Sequence, residues 1–175
     1  GLDHIISKSF EIPLAKVALE LLKEKNLTVS FAESCSGGLA SSLLVSESGA
    51  SSVFTGSIIC YSNEIKNKEV GVRTETLNKY GAVSHETALE LASGIRKKFN
   101  SSIGVSITGI AGPEGGTEDK PVGTVYFGYA SGSRQETVKH TIQFERNRFR
   151  TYTAYAALDL IRRDLLNLPL QFIRR

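Results

Sequence analysis

A three-layer αβα sandwich around a mixed, mainly parallel central sheet of about five strands is the fold class this sequence predicts, and three observations predict it. Segments of helical periodicity stand before and after most of the β-rich segments, so the sheet is expected to be covered on both faces. Two strand-like segments run directly into a tight polar turn and a helix, the local unit from which parallel sheets are built. A hairpin after residue 122 adds antiparallel pairing, which makes the sheet mixed.

The elements follow in order. Residues 12–25 place Leu14, Val17, Ala18, Leu21 and Leu22 at helical spacing, with Pro13 suited to the first turn and Asn26 to the exit. Leu27 to Glu33 reads as a strand, and after Ser34-Cys35-Ser36-Gly37-Gly38 a helix begins at Leu39. A second strand, Ser57 to Tyr61, runs into Ser62-Asn63, which caps a short helix ending near Gly71. Thr74 opens another short helix closed by Gly81, and Ser84 opens a longer one with Ala88, Leu91, Ala92, Ile95 and Phe99 on one face. Ile103 to Thr108 is a buried strand, followed by a loop from Gly109 to Gly123 with five Gly and two Pro. Val122 to Ala130 and Thr137 to Phe144 form the hairpin, and Arg146 to Leu166 a final long helix.

At 175 residues, with 41% hydrophobic and 22% charged residues, the chain has the make-up of one globular domain. That domain is expected over 12–168, between a C-terminal tail at 169–175 and a processed or tag-derived tail at 1–11, since the chain starts on Gly and contains no Met. The net charge of +3 is too weak to imply a nucleic-acid partner. No apolar run approaches the about 20 residues that cross a bilayer, and no signal-peptide pattern is present. Membrane association is therefore not expected, and a cytoplasmic location is. Cys35 and Cys60 lack the spacing of a zinc or disulfide motif and read as reduced thiols. Glu114, Glu118 and Asp119 lack ligand spacing, so no metal is expected.

Ligands of such sheets collect beyond the C-terminal strand ends, where three polar clusters fall: Ser34 to Gly38, Tyr61 to Lys66, and Thr108 to Gly116. In the first, Cys35, Ser36, Gly37 and Gly38 offer backbone N–H groups at a helix start, suited to an anion or to an oxyanion if Ser34 attacks a carbonyl. The alternative is that Ser34 and Ser36 only cap the helix. A nucleophilic serine needs a base, and the three histidines are poorly placed. His4 lies in the tail, His85 in a helix first turn, and His140 on a strand face, where it reads as structural. Lys66 is the remaining base: in a helix first turn the dipole disfavours its charge, against the alternative of a solvated surface lysine. Tyr61 either relays a proton or orients the serine, or packs on the sheet rim. Thr108, Gly109, Ala111 and Gly112 are candidates for cradling a phosphate or ribose. Arg146 and Arg150, four apart, either face a phosphate, with Arg150 taken as the candidate, or are solvated.

Five ordered motifs, A-E-S-C-S-G-G, Y-S-N-E-x-K, G-A-V-S, T-G-I-A-G-P-x-G-G and K-P-V-G-T-V, resemble the CinA C-terminal family over about residues 12–166. The resemblance implies a metal- and cofactor-independent amidohydrolase that converts nicotinamide mononucleotide to nicotinate mononucleotide and ammonia in pyridine nucleotide salvage, in the cytoplasm and commonly as a homodimer. It also implies Ser34 as nucleophile, supported by Tyr61 and Lys66. The chain departs from the commoner pattern at Ser36, Thr117 and Asp119, where Thr, Ser and Glu are usual, swaps that keep a hydroxyl or a carboxylate. Many members carry a further N-terminal domain, so the chain resembles a stand-alone form. A non-catalytic nucleotide-binding module and a Ser-Lys hydrolase of another amide are the competing readings.

Overall fold

In the computed structural model, which describes residues 13–171, the β-rich segments assemble into one five-stranded sheet. The strands are β1 (Val29–Glu33), β2 (Phe54–Ile59), β3 (Ile103–Gly109), β4 (Thr124–Ala130) and β5 (Gln135–Thr141), in the order β2-β1-β3-β4-β5. β1 pairs in parallel with β2 and β3, while β4 pairs antiparallel with β3 and β5, so β4 alone runs against the other strands. β1, β3 and β4 are buried almost throughout, as inner strands covered on both faces are; the edge strands β2 and β5 stay partly exposed.

Helices α1 (Leu14–Glu24), α2 (Leu39–Val45) and α6 (Arg146–Leu165) pack together over one face. The other face carries α5 (His85–Phe99), with α3 (Asn63–Val70) and α4 (Thr74–Tyr80) resting on it. α6 buries Phe149, Ala157 and Ile161 in the larger apolar core, and α5 buries Leu91 and Ile95 in the smaller one. The predicted αβα sandwich is thus the observed one. α5 sits unusually close to the sheet, because a Cβ at Gly104 would overlap the Ala92 carbonyl and one at Gly128 the Ala88 carbonyl.

The boundaries differ in instructive places. β2 begins at Phe54, three residues ahead of the expected Ser57, because Phe54 packs its ring on Phe31 at 5.9 Å and its backbone pairs with Val29. It also ends before Cys60 and Tyr61, whose carbonyls turn toward Lys66. β5 runs Gln135–Thr141 and not 137–144, since the tight turn closed by Ser131 and Arg134 lets Gln135 pair at once with Ala130. The tail expected from residue 169 starts too early: Leu170 is buried in the core, and Arg163 donates to the Pro169 carbonyl at 3.0 Å. The segment expected as an N-terminal tail, 1–11, lies outside the described residues.

Candidate active site

Beyond the C-terminal ends of β1 and β3, a cavity of about 220 Å³ is lined by Ser34, Cys35, Tyr61, Lys66, Thr108, Gly109 and Ala111, all expected from the sequence, together with Ala82, Val83 and Arg146. Ser34 is the residue after β1, and its N–H donates to the Ile107 carbonyl at 2.9 Å, which fixes it at the rim of the sheet. Lys66 sits in the first turn of α3, whose N-cap is Ser62. It is only 1% exposed, and its Nζ lies 3.2 Å from Ser34 Oγ, 2.6 Å from the Cys60 carbonyl and 3.4 Å from the Tyr61 carbonyl. Burial lowers the Lys66 pKa below its ordinary value, against a weaker upward pull from Cys60 and Cys35. Carbonyls only accept, so a neutral amine spends its two N–H bonds on Cys60 and Tyr61 and is left with its lone pair toward the Ser34 hydroxyl. The neighbouring thiols do not compete as nucleophiles, because burial pushes Cys35 up to about 12 and Cys60 up to about 11, which keeps both protonated.

Tyr61 stands differently from the expectation. Its side chain is 62% exposed and its hydroxyl accepts from Arg146 Nη2 at 3.2 Å, not from Ser34. The chain leaves the sheet at Ile59, so the carbonyl of Tyr61, and not its phenol, reaches the Ser-Lys pair.

The glycine turn is also changed in meaning. Neither Ser34 nor Ser36 caps α2; the cap position is Gly38, in the left-handed conformation at φ 93°. The helix start is closed by the wholly buried carboxylate of Glu33. Its Oε2 accepts from Ser36 Oγ at 2.7 Å, Gly38 N at 2.9 Å and Ala40 N at 3.2 Å, and its Oε1 from Ser41 N at 2.9 Å and Ser41 Oγ at 2.6 Å. The Gly37 N–H bonds the Ser34 carbonyl at 3.1 Å. The N–H groups of Gly37 and Gly38 are therefore engaged within the protein, and the anion expected at this helix start has its place filled by Glu33. Arg150 lies over the same turn, donating to the Ser36 carbonyl at 3.1 Å with its Nη2 3.1 Å from where a Cβ on Gly37 would stand. Ser36, Gly37, Gly38 and Arg150 thus form the back of the turn and do not line the cavity.

Thr108 donates to the Ala82 carbonyl at 2.7 Å, tying β3 to the loop between α4 and α5 that supplies Ala82 and Val83. Gly109 is required because a Cβ there would stand 2.9 Å from the Thr124 carbonyl. Gly112 lies behind the lining, its carbonyl accepting from Arg146 Nη1 at 2.7 Å. Of the two arginines four apart on α6, Arg146 reaches the cavity. The signal was its position directly after the N-cap Glu145, one turn nearer the loops than Arg150. Glu33 was missed, although a charged residue at the end of a strand, just before a glycine turn, marks a buried acid with donors to hand. His140 bonds the Tyr152 hydroxyl at 2.7 Å and His85 that of Thr137 at 2.7 Å, both away from the cavity. Among the described residues no group of three or more His, Cys, Asp or Glu is placed to hold a metal ion, and no helix is long and apolar enough to cross a membrane.

The family described as the CinA C-terminal domain matches residues 11–165. The chain belongs to the CinA C-terminal domain family. Among its relatives, a CinA-like protein of Dictyoglomus turgidum is 51% identical over 95% of this chain. A putative competence-damage inducible protein of Thermoanaerobacter pseudethanolicus is 46% identical over 96% of it. The chain spans about 40% of the length of these CinA relatives. Among solved structures, a CinA superfamily protein from Klebsiella pneumoniae superposes with a TM-score of 0.85 at 27% identity, covering 88% of this chain and 96% of that one. The competence/damage inducible protein CihA from Agrobacterium tumefaciens gives 0.78 at 34% identity, covering 85% and 93%. The five-stranded sheet and its two helical layers therefore belong to a fold that CinA proteins share.

Proposed function

We propose that this cavity hydrolyses the carboxamide of nicotinamide mononucleotide, giving nicotinate mononucleotide and ammonia. The observation that carries the reading is the buried Lys66 Nζ at 3.2 Å from Ser34 Oγ, with its other contacts on carbonyls. Neutral Lys66 takes the Ser34 proton as Oγ attacks the carboxamide carbon, and Lys66 then protonates the departing nitrogen. Ammonia leaves the tetrahedral intermediate as its C–N bond breaks, giving an acyl-enzyme, and a water activated by the same amine releases the acid and restores Ser34. With the N–H groups of Gly38, Ala40 and Ser41 bound to Glu33, the oxyanion falls to the Cys35 N–H, the group directly after the nucleophile.

Arg146 serves the 5′-phosphate. Among the described residues it is the one guanidinium lining the cavity, and after its bonds to Gly112 and Tyr61 it keeps Nε–H and one N–H on each Nη for an anion. Tyr61 in this reading holds Arg146 in place. The deciding experiment measures ammonia release from nicotinamide mononucleotide by the purified chain. Turnover is expected, with Ser34→Ala and Lys66→Ala each losing about 1,000-fold or more in kcat while staying folded. Tight binding without ammonia release overturns catalysis in favour of a nucleotide-binding module. An inert nucleotide beside a cleaved amide of another kind overturns the substrate.

A further inference from the structure

We infer that Glu33 is a positioning residue for the nucleophile, its buried carboxylate fixing the segment that aims Ser34 at Lys66. The inference rests on the Ser34–Lys66 reading but not on which amide is cleaved. All five donors to the carboxylate come from residues 36–41, the segment that leaves Ser34. Both oxygens are engaged, Oε2 three times and Oε1 twice, so the turn is held at its side chains and at its backbone together. On the other side the Glu33 backbone carbonyl accepts from the Cys60 N–H at 2.8 Å, and the Cys60 carbonyl takes Lys66 Nζ at 2.6 Å. Residue 33 therefore grips the nucleophile through its side chain and the base through its main chain.

A cap alone does not require this arrangement. Ser62 and Ser84 start α3 and α5 with a hydroxyl that accepts a single helix N–H, from Ile65 and Thr87 respectively, and put no charge in the interior. A carboxylate at 0% exposure whose hydrogen-bond donors among the described residues are all neutral depends on a complete set of them. Such a residue tolerates one arrangement of the turn and rejects others. The turn it holds contains Gly37 at φ 63° and Gly38 at φ 93°, left-handed conformations in which no other residue of this segment stands.

The test uses Glu33→Gln, which keeps the shape but sets an NH₂ against donors. Ser34 modification by a small fluorophosphonate is timed across pH for wild type, Glu33→Gln and Ser106→Ala, with thermal melts of each and with kcat and KM for ammonia release. Ser106 bonds the Ala88 carbonyl and the Gly128 N–H under α5, so its loss is a measure of destabilisation alone. Glu33→Gln is expected to slow modification by about tenfold or more at every pH, with an unmoved pH midpoint, a lowered kcat and a KM within about twofold. Ser106→Ala is expected to melt earlier yet react at the wild-type rate. A folded Glu33→Gln that reacts within about twofold of wild type, or a slowing matched by an equally destabilised Ser106→Ala, overturns the assignment. Should Glu33→Gln not fold, Ser41→Ala removes the 2.6 Å bond to Oε1 alone, and an unchanged rate in that folded variant likewise overturns it. Modification that depends on Glu33 in a chain releasing no ammonia sustains the inference and removes the substrate assignment instead.

Discussion

Lys66 has been taken out of water with no carboxylate paired to it among the described residues, and its behaviour with pH follows from that. Desolvation penalises the ammonium, so the rising limb of kcat/KM against pH is expected to have its midpoint below 10.5, the ordinary lysine value, and to vanish in Lys66→Ala. The same depression has a stability sign. Between the lowered pKa and 10.5 the unfolded chain binds more protons than the folded one, so stability rises with pH across that window. Urea melts of wild type against Lys66→Met at neutral and alkaline pH check it: the wild type should gain on the variant as pH rises. Arg146 and Arg150 separate by their partners. Arg146→Ala is expected to raise KM for the nucleotide by about tenfold to 100-fold with a smaller change in kcat, whereas Arg150→Ala leaves KM unchanged. Steady-state kinetics on both decide it. At this scale Ser34 and Lys66 were legible in the sequence because their residue types and helix-start positions carry chemistry. Glu33 was not singled out, and Arg146 was named only beside Arg150, since what makes them matter is the set of donors and loops around them.

At the scale of the elements, α5 and the sheet are joined by close backbone contact as well as by side chains. Gly104 and Gly128 lie under the Ala92 and Ala88 carbonyls, and Ser106 between them donates to Ala88 at 2.6 Å. Gly104→Ala or Gly128→Ala should therefore cost about 1–3 kcal/mol or more, because helix and sheet must move apart. Gly71→Ala, at φ 82° but with open space around its Cβ, should cost about 1 kcal/mol from backbone strain alone. Denaturant midpoints of the three variants test this, and equal losses would contradict the close-packing argument. The stripe on α5 and the buried run of β3 were readable from periodicity. The start of β2 was not, since it depends on Phe54 finding Phe31, and the register of β5 depends on how tightly the Ser131–Arg134 turn closes.

On the scale of the whole molecule, the cavity draws on residues from Ser34 to Arg146, so no short segment contains it. α6 both covers one face of the sheet, through Phe149, Ala157 and Ile161, and delivers Arg146 to the opening. A chain ending at Thr141 is expected to lose cooperative unfolding and the reactivity of Ser34 together, as read by thermal melts and fluorophosphonate modification. By itself the sequence determined the class of fold and the three polar clusters at the strand ends, and it named Ser34 and Lys66 as candidates to pair. These follow from local periodicity, turn chemistry and residue type, which neighbours along the chain already specify. Only the tertiary structure decided that the helix start after Ser34 is filled by Glu33, that Tyr61 faces Arg146, and that Arg146 and not Arg150 reaches the cavity. Each of those depends on which buried donors and acceptors meet across the sheet, and a buried polar group takes the partner that packing brings to it.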